Sequence, residues 1–240
     1  MNTSWLLKSA KKLARIKTCG AVIVAAGSAS RMEGIDKIMA PLKGEPVILR
    51  SVRAFAACSD IRQIVVVTRP DKIQEIADLC SDISKVKAVI AGGETRQESV
   101  RLGLAALSDQ VTLCAIHDGA RPLVSQDVIS RTIRAAEKYH AAVPAIPVKD
   151  TIKTEKGGIV ASTPDRSTLR SVQTPQVFDY DLLRGALEKA AKSGASVTDD
   201  SSAVELMGMS VKIVEGDERN IKITTPLDLK IGEILLEDEA

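Results

Sequence analysis

Residues 20–25 read GAVIVA, a short apolar run rich in valine and isoleucine, with the length expected of a buried β-strand. Four further runs follow, the last of them weaker: Gln63–Thr68, Val86–Ile90, Val111–His117 and Ala142–Ile146. Helical patterns lie between them at about 46–58, 71–80, 96–108 and 126–140. Continuous apolar strands separated by helices indicate a parallel sheet that is covered on both faces. With right-handed crossovers, this predicts a Rossmann-like, doubly wound α/β fold around a mostly parallel sheet.

The alternation of strands and helices is interrupted between about residues 147 and 171. Two β-like pieces, Thr151–Thr154 and Ile159–Ser162, flank a Gly157-Gly158 pair that favours a tight turn, so we predict a projecting hairpin. A two-stranded arm is marginally stable alone, and we expect it to dock on another surface. Further elements are predicted after the arm: helices at about 179–193 and 199–208, strand-like Lys212–Val214 and Ile221–Thr224, and a last helix from Pro226.

The composition narrows the class of protein. With 240 residues, 45% of them hydrophobic, the chain has the length of one large α/β domain or two small ones and is too apolar for a disordered protein. No stretch approaches the ~18–20 apolar residues that span a bilayer, so no membrane is expected as a partner. With only five aromatic residues, a platform that stacks single-stranded bases is not expected.

The N-terminal residues differ from the rest in charge. Residues 1–17 carry five basic residues and no acidic one, whereas the remainder has a net charge of −3. The slightly acidic body has no basic stripe, so nucleic acid is not expected as a partner. Apolar residues recur at helical spacing in the N-terminal segment, which is compatible with a membrane contact, a transit peptide or a loosely docked extension. We therefore divide the chain into an extension, 1–18, and one domain, 19–240.

The four cysteines predict the redox environment. Cys19, Cys58, Cys80 and Cys114 include no pair at C-x-x-C spacing, and the two histidines do not complete a zinc pattern. A chain of this length does not need disulfides for stability. Free thiols and a cytoplasmic location are the expectation.

Ligands of a doubly wound sheet bind outside the carboxyl ends of the strands, so the loops there are the candidate sites. The first loop contains Ala25-Ala26-Gly27, then Arg31 and Lys37, and matches neither a P-loop nor G-x-G-x-x-G. Backbone N–H groups of small residues can approach an anion closely, and two cations can cover its oxygens. Phosphate binding and an ordinary surface loop both remain open on this pattern.

Two further loops carry polar residues after predicted strands. Residues 91–99, AGGETRQES, pair two glycines with the start of a helix, which suits either close approach to a ligand or a turn capped by Thr95 or Glu94. Asp118 follows the fourth strand, where it is placed to hold a Mg²⁺ ion bound mainly by substrate phosphates, or to cap a loop. His117 is interpreted as a packed or orienting histidine.

Five segments taken together are more specific than any one of them. In order, they are A-A-G-x-x-x-R-M with a following lysine, G-G-x-x-R-x-x-S, H-D-x-A-R-P, T-P-Q and N-I-K-x-T. This ordered set resembles the nucleotidyltransferase superfamily and, within it, the 2-C-methyl-D-erythritol 4-phosphate cytidylyltransferase family of the non-mevalonate isoprenoid pathway. The resemblance runs from about Cys19 to Leu236.

The resemblance implies a reaction and a set of residues. The family joins CTP to the phosphate of methylerythritol 4-phosphate, giving a CDP-alcohol and pyrophosphate, with Mg²⁺. By resemblance, the nucleotide pocket is lined by Ala25, Ala26 and Gly27, with Gly93 and Ser99 near the cytidine. Arg31 and Lys37 would neutralise the triphosphate, and Asp118 would bind the metal. The residues matched to the sugar-phosphate site are Arg166, Thr174, Thr198 and Lys222, with Thr151 and Arg121 nearby; Arg31, Lys37, Arg166 and Lys222 are the expected catalytic residues.

The resemblance also implies a homodimer formed through the 147–171 arm, and it shows one departure. The family usually places proline before the lysine and glutamine after it, whereas this chain has Asp36-Lys37-Ile38. Asp36 is therefore expected to offset part of the charge of Lys37.

Two other functions stay open on the sequence. A sister cytidylyltransferase that acts on ribitol 5-phosphate shares the nucleotide loops, although the segments 118–121 and 220–224 look more like the isoprenoid enzyme. A nucleotide-binding module without turnover is the more distant alternative. The chain offers no convincing Ser-His-Asp or Cys-His arrangement, and nucleotidyl transfer asks mainly for positioning and charge stabilisation, which the loops supply.

Overall fold

A mostly parallel β-sheet lies at the centre of the computed structural model, which describes residues 17–27, 36–195 and 197–237. In chain order the strands are β1 Cys19–Ala25, β2 Pro41–Leu42, β3 Glu45–Pro46, β4 Ile61–Thr68, β5 Val86–Ala91, β6 Leu113–Asp118, β7 Ala141–Pro147, β8 Thr154–Lys156, β9 Ile159–Ser162, β10 Arg170–Val172, β11 Gln176–Asp179 and β12 Lys212–Glu215. The main sheet has the order β10-β7-β11-β6-β1-β4-β5, and β12 also pairs with β7. β1 runs parallel to β4 and β6, whereas β11 runs antiparallel to β6 and β7.

Helices cover both faces of this sheet. They are α1 Val47–Ala57, α2 Ile73–Leu79, α3 Arg96–Ala105, α4 Gln126–Tyr139, α5 Tyr180–Ser193, α6 Asp200–Glu205 and α7 Pro226–Glu237, with single 3₁₀ turns at Pro70–Lys72 and Arg166–Thr168. Ile23 of β1 packs in one core cluster with α1, α2 and α4, while its neighbour Val22 packs in a second cluster with α3, α5 and α6. Because successive side chains of a strand point to opposite faces, two covered faces require the continuous apolar runs seen in the sequence.

The predicted fold class is confirmed, and each of the five predicted core strands is present within two residues of its expected bounds. Two local predictions were wrong. The first strand of the arm is Thr154–Lys156, not Thr151–Thr154, and residues 221–224 form no strand. In the latter segment the Ile223 N–H bonds to the Ala120 carbonyl, and the N–H and hydroxyl of Thr224 donate to the carboxylate of Asp228 in the first turn of α7, so the backbone enters no ladder.

The arm is a hairpin that projects from the sheet. β8 and β9 pair antiparallel around Gly157 and Gly158, whose φ angles of +63° and +80° suit a two-residue turn. Residues 151–163 are exposed throughout, and Ile159 exposes 73% of its surface. Within the described residues, no helix is long and apolar enough to cross a membrane. Of the predicted extension 1–18, only Lys17 and Thr18 belong to the described part.

Candidate active site

A cleft of about 400 Å³ opens at the carboxyl ends of β1, β5 and β6. It is lined by Val24, Ala25, Ala26, Gly27, Lys37, Ile38, Gly93, Glu94, Thr95, Arg96, Ser99, Asp118, Ala120 and Lys222. Eight residues predicted from the sequence thus meet here, and they come from four of the five motif segments: Ala25, Ala26, Gly27, Lys37, Gly93, Ser99, Asp118 and Lys222. Arg31, predicted to act beside Lys37, lies outside the described residues.

The glycine loop after β5 is held in place by its own side chains. Ser99 is buried, and its hydroxyl accepts the Gly93 N–H at 3.1 Å and donates to the Thr95 carbonyl at 3.0 Å. A Cβ atom on Gly92 would lie 2.4 Å from the Ala26 Cβ, so only glycine lets this loop approach the loop after β1. Thr95 caps α3 by accepting the Glu98 N–H at 3.0 Å. The turn capped by Thr95 is therefore present, and the glycine also brings the two loops together, while close approach to a ligand stays a prediction.

Asp118, at the end of β6, carries a buried negative charge among three cations. Its Oδ2 lies 2.8 Å from Lys222 Nζ and 3.8 Å from Arg121 Nε, and its Oδ1 lies 3.5 Å from Arg96 Nη2. Burial raises the pKa of Asp118, but Lys222, Arg96 and Arg121 outweigh it and lower the pKa to about 2. Asp118 is therefore ionised at neutral pH.

Lys222 reaches Asp118 because the residues on either side of it are anchored. Asn220 is fully buried and donates its side-chain amide to the Thr174 carbonyl at 2.9 Å. Ile223 is buried with Leu42, and its N–H bonds to the Ala120 carbonyl at 2.8 Å. The N-I-K segment thus presents the lysine to the cleft from an irregular but fixed backbone.

A series of hydrogen bonds through Thr174 and His117 holds the backbone of Asp118 in place. The Thr174 hydroxyl accepts the Asp118 N–H at 3.1 Å and lies 3.0 Å from His117 Nδ1, while His117 Nε2 lies 3.1 Å from the Arg121 carbonyl. A carbonyl oxygen only accepts, so Nε2 carries the proton and Nδ1 accepts from Thr174. Burial lowers the pKa of His117 to about 4, which keeps the ring neutral. His117 therefore orients Asp118 and its loop, in agreement with the sequence interpretation.

Arg96 and Asp200 form an ion pair that was not predicted from the sequence. Arg96 Nη2 lies 2.8 Å from Asp200 Oδ2 and also faces Asp118, so the guanidinium bridges two carboxylates. Asp200 is only 1% exposed, and burial raises the pKa of its carboxyl group despite the opposing charge of Arg96. The arginine stands in the G-G-x-x-R-x-x-S segment, but its partner lies 104 residues further on. Nothing in the local sequence signals that pairing.

Removing the arginine should destabilise the protein because the buried carboxylate of Asp200 loses its cation. We expect Arg96→Met to lower the free energy of unfolding by about 2–3 kcal/mol, measured by chemical denaturation. The double variant Arg96→Met/Asp200→Asn, which removes both charges, should recover part of that loss. An Arg96→Met protein that unfolds at the wild-type denaturant concentration would contradict this account of the pair.

The other predicted substrate residues lie outside the cleft of this chain. Thr174 and Arg121 are packed beneath Asp118, and Arg121 Nη1 donates to the Asn220 carbonyl at 2.6 Å. Thr198 is exposed just before α6. Thr151 and Arg166 are exposed at the two ends of the arm, where Arg166 Nη1 donates to the Lys149 carbonyl at 2.5 Å. A single chain thus brings the predicted nucleotide residues together but not the predicted arm residues.

Comparisons with known proteins agree with the resemblance read from the sequence. The family model described as 2-C-methyl-D-erythritol 4-phosphate cytidylyltransferase (IspD) matches residues 19–238. A curated protein of that name from Caldanaerobacter subterraneus subsp. tengcongensis is 43% identical over 221 residues, covering 90% of this chain and 97% of its own length. One of the same name from Geobacillus thermodenitrificans is 46% identical over 220 residues, covering 90% and 96%.

Solved structures give the same answer at the level of the fold. The 4-diphosphocytidyl-2C-methyl-D-erythritol synthase of Anaerococcus prevotii superposes with a TM-score of 0.83 at 34% identity, covering 92% of this chain and 96% of that one. The 2-C-methyl-D-erythritol 4-phosphate cytidylyltransferase of Thermus thermophilus superposes with a TM-score of 0.74 at 32% identity, covering 92% and 100%.

Proposed function

The chain belongs to the 2-C-methyl-D-erythritol 4-phosphate cytidylyltransferase family, and from this premise we propose that the cleft between β1, β5 and β6 is its active site. The enzyme transfers the cytidylyl group of CTP to 2-C-methyl-D-erythritol 4-phosphate in isoprenoid precursor synthesis, giving the CDP-alcohol and pyrophosphate. The observation that carries the assignment of the site is the meeting of eight predicted residues in one cleft. The name of each relative above favours this substrate over ribitol 5-phosphate.

The nucleotide end of the cleft is proposed to be the pair of small-residue loops after β1 and β5. Ala26 and Gly93 both line the cleft, and because neither carries a large side chain, they leave room for a flat base between the two loops. The triphosphate would then extend toward Lys37 and Lys222, which line the same cleft. Arg31, outside the described residues, remains a prediction for the same role.

The reaction needs charge stabilisation more than proton transfer. An oxygen of the methylerythritol phosphate attacks the α-phosphorus of CTP, forming one P–O bond while the bond to pyrophosphate breaks. A phosphate monoester is already an anionic nucleophile, so no side chain has to remove a proton, and the neutral, buried His117 fits that requirement. Lys37 and Lys222 are proposed to stabilise the negative charge that develops on the transferred and leaving groups.

Asp118 is the proposed contact for a divalent metal, on which enzymes of this family generally depend. Its carboxylate is a hard oxygen donor, it is ionised at neutral pH, and it faces the cleft, so it fits Mg²⁺. Among the described residues no three His, Cys, Asp or Glu side chains form a metal-binding group, so the other ligands would be phosphate oxygens and water. When bound, Mg²⁺ neutralises phosphate charge.

The arm is proposed to form a homodimer and to complete the partner's site. In the described part of the chain, no element buries Ile159 or Val160 of this polar hairpin, which are 73% and 58% exposed. Thr151 and Arg166 lie at its ends, away from the cleft lined by the same chain. Across a two-fold axis these residues would approach the sugar-phosphate end of the other cleft. A cytoplasmic location is also proposed, since all four cysteines are buried free thiols.

Pyrophosphate release tests the assignment directly. We expect release to require CTP and 2-C-methyl-D-erythritol 4-phosphate together, with ribitol 5-phosphate giving little or none. UTP should react at least about 10²-fold more slowly in kcat/KM, because groups that pair with the cytosine amine are left unpaired against uracil. Equal rates with CTP and UTP would contradict the assignment of a cytidine pocket. Pyrophosphate release with CTP and ribitol 5-phosphate, but not with CTP and methylerythritol phosphate, would contradict the assignment of the substrate.

A further inference from the structure

Asp36, the residue before Lys37, forms an ion pair with the residue that follows a core strand. Its Oδ2 lies 2.5 Å from Arg69 Nη2, and Arg69 directly follows β4. Its Oδ1 accepts the Ile38 N–H at 3.2 Å, which closes a local turn around Lys37. Burial raises the pKa of Asp36, but Arg69 and the Ile38 N–H outweigh it and lower the pKa, so the carboxylate is charged at neutral pH.

The residues after Lys37 are anchored as firmly as the residue before it. The Asp36 carbonyl accepts the N–H groups of Met39 at 3.1 Å and Ala40 at 2.8 Å. Ile38 is 3% exposed in the core, and its carbonyl accepts the Ile48 N–H of α1 at 3.0 Å. The backbone of Lys37 is therefore fixed on both sides, by the buried Ile38 after it and by the Asp36–Arg69 ion pair before it.

We propose that the Asp36–Arg69 ion pair positions Lys37 in the cleft, and that Asp36 and Arg69 are positioning residues for the transfer step. The inference rests on the role proposed above for Lys37. It predicts the opposite effect on the rate from the expectation, drawn from the sequence, that Asp36 offsets part of the charge of Lys37. If Asp36 weakened that charge, its removal would leave the rate unchanged or raise it; if Asp36 holds the turn, its removal lowers the rate.

The test is Asp36→Asn, which keeps an oxygen for the Ile38 N–H and removes the charge that faces Arg69. We expect kcat to fall about 10-fold, since small displacements of a catalytic group cost one to two orders of magnitude, while KM for methylerythritol phosphate stays within about 2-fold. Arg69→Gln should give a similar loss, and the double variant should be no slower than either single one. Asp71→Asn is the matched control: Asp71 also contacts Arg69, at 3.4 Å, but is exposed and not part of the turn, so its kcat should stay at the wild-type value.

Epistasis with Lys37 separates this inference from the proposed function. In a Lys37→Ala background, Asp36→Asn should cause no further loss of kcat. If Lys37→Ala lowers kcat but Asp36→Asn does not, or if the two losses multiply, the ion pair does not act through Lys37 and the inference is wrong. If Lys37→Ala itself keeps normal turnover, the proposed role of Lys37 fails, and the inference fails with it.

Discussion

Lys37→Ala is expected to lower kcat by about 10²–10³-fold, the scale on which removal of one preorganised electrostatic group acts. Lys37 lines the cleft and follows Asp36, whose anchored turn fixes its position before the substrates bind. A lysine in a loop contributes little to the core, so the variant should unfold at nearly the wild-type temperature. The measurements are steady-state kinetics at saturating CTP and methylerythritol phosphate, together with a thermal unfolding curve.

Lys43→Ala is the matched control for that substitution. Lys43 lies in the exposed turn between β2 and β3, only six residues along the chain, and its contact is an exposed salt bridge with Glu237. Exposed ion pairs contribute little, so this variant should keep the wild-type kcat. Near-normal turnover in a folded Lys37→Ala protein would remove Lys37 from the mechanism, and an equal loss in Lys43→Ala would show a nonspecific effect of lost charge.

The parallel part of the sheet was predictable because burial on both faces forces a distinctive sequence. β1 and β4 contain the runs AVIVA and IVVVT, which are rich in β-branched residues, as strands buried on both faces of a parallel sheet usually are. β11 was missed because its buried residues are not all apolar. Gln176 is 2% exposed, yet its amide donates to Asp199 Oδ2 at 2.6 Å and accepts the Ser201 N–H at 3.0 Å. A polar side chain that is satisfied by residues more than twenty positions away carries no local signal of burial.

The same distinction holds for the site. Cleft residues that lie at the end of a strand or in the loop after it, such as Asp118 and Gly93, can be located from the sequence pattern of strand and loop. Ion-pair partners that are distant in sequence cannot be located in this way. Asp200 meets Arg96, and Arg69 meets Asp36, only through the tertiary fold. In the same way, the Asp36 carboxylate bonds to Arg69, 33 residues away, and the sequence around Lys37 does not indicate that partner.

A composite site across two chains predicts that two inactive homodimers restore each other. If the arm of one chain completes the cleft of its partner, Lys37→Ala damages the cleft and Arg166→Ala damages the arm, so each homodimer should be nearly inactive. After mixing and random exchange of subunits, half of the dimers are hybrids, and each hybrid carries one site in which both parts are wild type. About a quarter of the wild-type activity should therefore return, which follows from two-fold symmetry.

The control for this experiment is a pair of variants that damage the same half of the site. Lys37 and Asp118 line one cleft of one chain, so in a hybrid of Lys37→Ala with Asp118→Asn every site keeps one damaged cleft. No activity should return from that mixture, although its subunits exchange in the same way. Exchange is verified by mass, with one variant isotopically labelled. If hybrids of Lys37→Ala and Arg166→Ala form and remain inactive, the site is not shared, and Arg166 acts within its own chain or takes no part in the reaction.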